Sequence, residues 1–231
     1  TTSVHMYNHQ VNALINETDL SSPSGHSGSS FLKIYVLGGV TVSEANSLND
    51  LANGNVIPVC TIQEQIASAL KNINILPSGH YYTMTVNENS PAISDILQIL
   101  KITDGSDSDD SGTTDYADGD GFVDLSAITS LSGTYANFTT LYSYTQVEHV
   151  TGLGDEILTI NDDDSTAIDA TELTTIRGKT TGTVTVSNAV HITGDHDQVT
   201  AALVTDATKV VAATATVTIN DDDSTDIHAT E

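Results

Sequence analysis

The chain has no tryptophan, one cysteine, four prolines, and only six lysines and arginines in 231 residues. Each scarcity excludes something. A lone Cys60 cannot close an internal disulfide, and its apolar surroundings (Val56-Ile-Pro-Val-Cys-Thr-Ile62) suit a small buried hydrophobe better than a reactive thiol. Few basic residues against 31 acidic ones give a formal net charge of −25, which repels nucleic-acid phosphates and anionic membrane surfaces alike. No run approaches the roughly 20 apolar residues that span a bilayer, so membrane insertion is not expected. Aromatics make up 5 % of the chain, so any core must be built from Thr, Val, Ile, Ala and Ser in thin, regular layers. Self-repulsion on this scale calls for salt or bound cations.

Against those absences stands one conspicuous presence. Thr-Ile-Asn-Asp-Asp-Asp-Ser-Thr occurs at Thr159–Thr166 and again at Thr218–Thr225. Flanking it, Ala-Ile-Asp-Ala-Thr-Glu (Ala167–Glu172) returns as Asp-Ile-His-Ala-Thr-Glu (Asp226–Glu231). Gly121-Phe-Val-Asp-Leu-Ser matches Gly182-Thr-Val-Thr-Val-Ser, Leu131-Ser-Gly133 matches Ile192-Thr-Gly194, and Gln65–Leu70 matches Gln198–Leu203. Self-similarity of this kind points to a repeat architecture. The expected organisation is an N-terminal arm and linker over 1–32, then a degenerate repeat over 33–231. Its units run approximately 33–80, 81–150, 151–210 and 211–231, the last truncated, as in a piece of a longer array or a subunit completed by another copy.

Short β-rich runs at Ile34–Leu37, Val56–Val59, Tyr82–Val86, Phe122–Leu125, Ile157–Ile160, Thr183–Val186 and Ala215–Ile219 read as strands. Between them, Ile66, Ala69, Leu70 and Ile73 share a helical face, as do Ile93, Ile96, Leu97 and Leu100. Asp169 and Asp195 stand where N-caps are wanted. Strands separated by helices run parallel, because no tight hairpin return is available. The fold expected is therefore an α/β repeat solenoid of short parallel strands alternating with short helices. An all-β parallel solenoid is the alternative, favoured by Thr-rich runs such as Thr208–Thr218. A helix is expected over Ser3–Asn16, which would put His5 and His9 on one face.

The acidic residues are the candidate sites. Within 104–124, Asp118-Gly-Asp120-Gly-Phe-Val-Asp124 alternates carboxylates with turn-permitting glycines, the pattern in which oxygens converge on calcium. Asp104, Asp107 and Asp115 could add ligands. In the doubled octapeptide, Asp162 and Asp164, and Asp221 and Asp223, would repel one another unless splayed apart or bridged by a cation. No nucleophile elbow, phosphate loop or zinc pattern is present, and no carboxylate pair stands out as an acid and base, so an enzyme is not expected.

Thr159-Ile-Asn-Asp, Ile168–Ile176, Thr181-Gly-Thr-Val-Thr-Val and Ile192-Thr-Gly194, preceded by Thr151-Gly-Leu-Gly-Asp-Glu156, together resemble the repeats of giant secreted bacterial surface proteins. These are common in marine cyanobacteria and are called hemolysin-type calcium-binding or surface-layer-like proteins. The glycine-rich nonapeptide of hemolysin-type calcium repeats is absent here. The resemblance implies an extracellular, cell-surface structural or adhesive role: a segment of a filament, surface layer or adhesin that self-associates and uses calcium. A polysaccharide-binding module is the alternative, with Tyr135, Phe138, Tyr142 and Tyr144 as its densest aromatic cluster and envelope polysaccharide as its partner.

Overall fold

The computed structural model describes residues 2–7, 10, 32–52, 56–74, 81–103, 121–144, 150–208 and 210–221. It is a mixed α/β structure in which every strand pairing is parallel. The chain divides into two compact units, one formed by Thr1–Ala127 with Tyr144–Gly152 and the other by Ile128–Ser143 with Leu153–Glu231.

The first unit alternates strand and helix. Its elements are β1 (Thr2–Tyr7), β2 (Leu32–Leu37), α1 (Val42–Ala52), β3 (Val56–Thr61), α2 (Ala67–Leu70), β4 (Tyr81–Thr85), α3 (Ile93–Thr103), β5 (Phe122–Asp124) and β7 (Val150–Thr151). The strands form one sheet in the order β1-β2-β3-β4-β5-β7. Parallel neighbours need a crossover between them, and α1, α2 and α3 supply it from β2 to β5. Alternate residues turn inward: Ile34 and Val36, Tyr82 and Met84, and Val123 are buried. Ala45 and Leu48 of α1, Leu70 of α2, and Ile96, Ile99 and Leu100 of α3 are buried as well. Gly152 explains one turn: its φ of +88° is left-handed, and a Cβ there would lie 2.2 Å from the Ser126 nitrogen. Only glycine admits both the conformation and the approach.

The second unit holds β6 (Ser130–Gly133), α4 (Tyr135–Tyr144), β8 (Ile157–Ile160), β9 (Ala167–Asp169), α5 (Ala170–Arg177), β10 (Val184–Val186), β11 (His191–Gly194), α6 (His196–Leu203) and β12 (Thr216–Ile219). Two three-stranded parallel sheets result, β6-β8-β10 and β9-β11-β12. Burial alternates along β8 and β10, with Leu158, Ile160, Val184 and Val186 inward and the threonines between them less buried. A parallel sheet is usually covered on both faces. These short strands instead bury one face, the thin layering that the small, β-branched composition anticipates.

Three sequence expectations are corrected. Thr2–Tyr7 is a strand paired with β2, not the start of a helix, and His5 stacks on Tyr35 across that pair with ring centroids 4.7 Å apart. Pairing with an adjacent strand overrides the local helical spacing; His9 lies outside the described residues. Gln65–Ile73 contains only the single turn Ala67–Leu70, which leaves Ile66 exposed while Leu70 and Ile73 are buried. Helices intervene throughout, which sets aside the all-β alternative, although Thr216–Ile219 in the Thr-rich run is indeed a strand.

The doubled octapeptide now has two environments. On the strand that enters its first copy Leu158 and Ile160 are fully buried; on the strand that enters its second the equivalent Val217 and Ile219 are 44 % and 41 % exposed. Leu158→Ala should therefore cost about 2–5 kcal/mol, whereas Val217→Ala should change stability by less than about 0.5 kcal/mol. Urea unfolding of the two variants measures both, and equal losses would contradict the burial difference.

Candidate functional site

An α-helix begins with backbone N–H groups that have no partner within it. Here they are satisfied in two ways. Locally, four helices carry a reciprocal cap. For α5, Thr171 N–H donates to Asp169 Oδ1 at 2.8 Å, and Asp169 N–H donates to Glu172 Oε2 at 2.9 Å. For α6, Gln198 N–H donates to Asp195 Oδ1 at 2.8 Å and Asp195 N–H to Gln198 Oε1 at 3.0 Å. Thr41 with Glu44 does the same at α1, and Thr134 with Asn137 at α4. The caps expected at Asp169 and Asp195 are thus in place.

The second acceptor comes from a later strand. The first helical N–H of α1, at Val42, donates to Glu64 Oε2 at 2.9 Å, and that of α2, at Ala67, to Glu88 Oε2 at 2.6 Å. In the other unit, Tyr135 N–H at the start of α4 donates to Asp162 Oδ2 at 2.7 Å, and His196 N–H at the start of α6 to Asp221 Oδ1 at 3.0 Å. All four carboxylates close a triplet of apolar, amide and acidic residues at or just past a strand end: Ile62-Gln-Glu64, Val86-Asn-Glu88, Ile160-Asn-Asp162 and Ile219-Asn-Asp221. The amide residue fixes the register, because its N–H continues the ladder. Asn161 N–H donates to Gly133 O at 2.9 Å and Asn220 N–H to Gly194 O at 2.8 Å. The acid is then delivered to the positive end of the helix that follows the neighbouring strand.

This arrangement explains much of the octapeptide's acidity. Asp162 reaches back to α4, while Asp164 Oδ1 accepts from Ala189 N–H at 3.0 Å on the far side of the turn. Asp163 points to neither and is exposed. Ser165, just past the acids, turns the chain with φ at +67°. Asp162 and Asp164 thus serve different neighbours, on opposite sides of the turn. Asp124 Oδ1 accepts from Ser126 N–H at 2.9 Å, closing its own turn. Asp221 keeps its second oxygen, Oδ2, buried without a hydrogen-bond partner. Asp104, Asp107, Asp115, Asp118, Asp120 and Asp223 lie outside the described residues. Among the described residues, no three His, Cys, Asp or Glu side chains gather where they could hold a metal ion.

A second polar cluster gave no signal in the sequence. Glu156 is fully buried, and its carboxylate accepts from the Tyr142 hydroxyl, from Gly154 N–H at 2.7 Å and from Asp155 N–H at 3.1 Å. Burying a carboxylate is costly unless such donors replace water. Burial first, and then the Glu156 carboxylate, push the Tyr142 hydroxyl well above its ordinary pKa, so it keeps its proton and donates. The Glu156 carbonyl accepts from Thr180 Oγ1 at 2.7 Å, and a Cβ on Gly182 would fall 2.2 Å from that same carbonyl oxygen. Tyr142 and Phe138 therefore belong to the core. Cys60 is buried as well, and burial pushes its thiol up to about 12, which leaves it unreactive at neutral pH.

An open groove of about 470 Å³ between α5 and α6 is lined by Thr171, Thr174, Thr175, Asp197, Gln198 and Ala201. Its threonine hydroxyls are engaged already, Thr174 with Ala170 O and Thr175 with Thr171 O, so no polar groups converge there on a substrate. No described helix is long and apolar enough to cross a membrane. Compared with family models, curated proteins and solved structures, the chain matches none.

Removing the acceptor in Asp162→Ala should cost about 0.5–2 kcal/mol, while Asp163→Ala should be near neutral; thermal unfolding followed by circular dichroism compares them. Asp169 adds a pH dependence. Hydrogen bonds from the Thr171 hydroxyl and then its N–H hold the Asp169 carboxyl below the ordinary carboxylate range. Its stabilisation is present above that ordinary value and is lost as pH falls through the lowered one. Asp169→Asn should accordingly be less stable than the parent at neutral pH, with the difference closing in acid. A melting-temperature series against pH would expose a constant difference if the carboxylate were not responsible.

Proposed function

We propose that the chain is part of an extracellular structural protein, a segment or subunit of a calcium-stabilised surface filament, surface layer or adhesin built as an α/β solenoid. One observation carries the reading. The two copies of the octapeptide occupy equivalent places: each continues a parallel ladder through its Asn N–H and caps the preceding helix with the following Asp. Sequence conserved between copies inside one chain is thus spent on joining one layer to the next rather than on lining a cavity. That is the logic of a stacked, load-spreading element.

The charge supports the same reading. Carboxylates at helix N-termini account for some of the acid, and the run over 104–124 remains for a hard cation such as calcium, with Asp118, Asp120 and Asp124 as first candidates. The cell surface supplies both the calcium and the salt that so acidic a chain needs. The polysaccharide-binding alternative has less to rest on, because Phe138 and Tyr142 are core residues.

Calcium should raise the melting temperature of the chain and excess chelator should lower it. The effect should shrink in the double variant Asp118→Asn, Asp120→Asn, and electron microscopy should show elongated assemblies that shorten on chelation. A melting curve indifferent to calcium and chelator would remove the cation from the proposal.

A further inference from the structure

The outer edge of β12 points to a specific contact. In the first copy of the octapeptide the outward-facing groups of the strand are occupied: Leu158 N–H donates to Thr183 O at 2.9 Å, and Ile160 O accepts from Ser187 N–H at 2.9 Å, as β10 runs alongside. In the second copy, β12 lies at the edge of its sheet, with β11 on its inner side and no described strand on the other. The inner side is fully made. Thr216 N–H donates to Val190 O, Asn220 N–H to Gly194 O, and the His191 ring contacts the Thr216 and Thr218 hydroxyls. The edge that Leu158 and Ile160 present to β10 in the first copy is presented here by Val217 and Ile219, and no described strand takes it up. Apolar side chains are exposed here: Val217 and Ile219 are two of the nine large exposed hydrophobics among the described residues.

A matching edge exists on the same molecule. β1 pairs only with β2 among the described strands, is parallel to it, and leaves Tyr7 60 % exposed beside Leu37 at 47 %. Protein edges are normally defended by charge or proline. Neither Thr-Ser-Val-His-Met-Tyr nor Thr-Val-Thr-Ile carries an acid, a lysine or a proline, in a chain with 31 acidic residues. Two acid-free edges in so acidic a protein can meet without the repulsion that separates the rest of its surface.

We propose that the β12 edge accepts a parallel strand from a second copy of this chain, and that the strand is β1. The contact is heterologous, head to tail, and so can extend rather than close. It rests on reading the chain as a structural protein and names the joint by which that protein would associate.

Sedimentation of the full chain across a range of concentrations tests it. The parent should self-associate, and Val217→Pro should weaken association about tenfold or more, because it deletes an outward N–H and puts a ring on the edge. Proline is tolerated on the solvent side of an edge strand, so pairing with β11 and the melting temperature should persist. Val217→Glu, which keeps the N–H but adds like charge, should weaken association too. Mixing His5→Cys with Thr218→Cys under oxidation should give a disulfide-linked pair of unlike variants, with the buried Cys60 remaining silent. A parent that stays monomeric, or a Val217→Pro variant that associates like the parent, overturns the proposal whatever calcium does to stability. Association that depends on Val217 without that mixed disulfide overturns the assignment to β1.

Discussion

The first N–H of a helix needs an acceptor, and in this protein a later strand supplies it. Glu64, Glu88, Asp162 and Asp221 each stand two residues past an apolar residue, and each reaches the first turn of the helix one strand back. A local capping box already serves α1, α4 and α6, but it satisfies different groups, so the two devices complete each other at those helices. Energetically the caps are not the main term. Each contributes about 1 kcal/mol, against about 1.5–3 kcal/mol for every fully buried Leu or Ile, and the core of each unit holds many of these. What the caps decide is register. A slip of one residue in a parallel pair would turn the apolar side chains outward and carry the carboxylate away from its helix at the same time.

That constraint changes the meaning of the charge. Six basic side chains cannot neutralise 31 acidic ones. Ion pairs such as Lys71 with Asp95, at 2.6 Å, are bound to be few. Backbone N–H groups at helix starts and in turns take their place, as partial positive charges that cost the protein no basic residue. Asp162, Asp164, Asp124, Asp169, Asp195 and Glu156 all accept from such groups.

How far the sequence reveals this follows from the distance between partners. Alternating apolar runs announced β2, β3, β4, β5, β8, β10 and β12, and an Asp just ahead of a helical segment announced the caps at Asp169 and Asp195, because in each case the signal lies within a few residues. β6, β9 and β11 are three or four residues long, each with a single Leu or Ile among small or polar residues, and exist because a neighbour pairs with them; nothing local marks them as strands. β1 was misread for the same reason. The cap from Asp162 to Tyr135 spans 27 residues, and Tyr142 lies 14 residues before Glu156, so both depend on the fold being known. The repeat held the missing clue. Apolar, amide, acid recurs at Ile62, Val86, Ile160 and Ile219, and a residue type repeated where no cavity requires it is better explained by a joint than by a ligand.

The strands that lead into the two copies of Thr-Ile-Asn-Asp-Asp-Asp-Ser-Thr sharpen this further, because their described residues pair alike in two surroundings. Covered by β10, Leu158 and Ile160 lose all contact with solvent; at the sheet edge, Val217 and Ile219 remain two-fifths exposed. Yet both strands pair in the same sense, both place Asn in the ladder, and both put the next Asp on a helix start. The inner side alone is therefore enough to define the strand. The outer side is thus free to differ between the two strands, and it does: one is covered by β10, while the other leaves Val217 and Ile219 part-exposed.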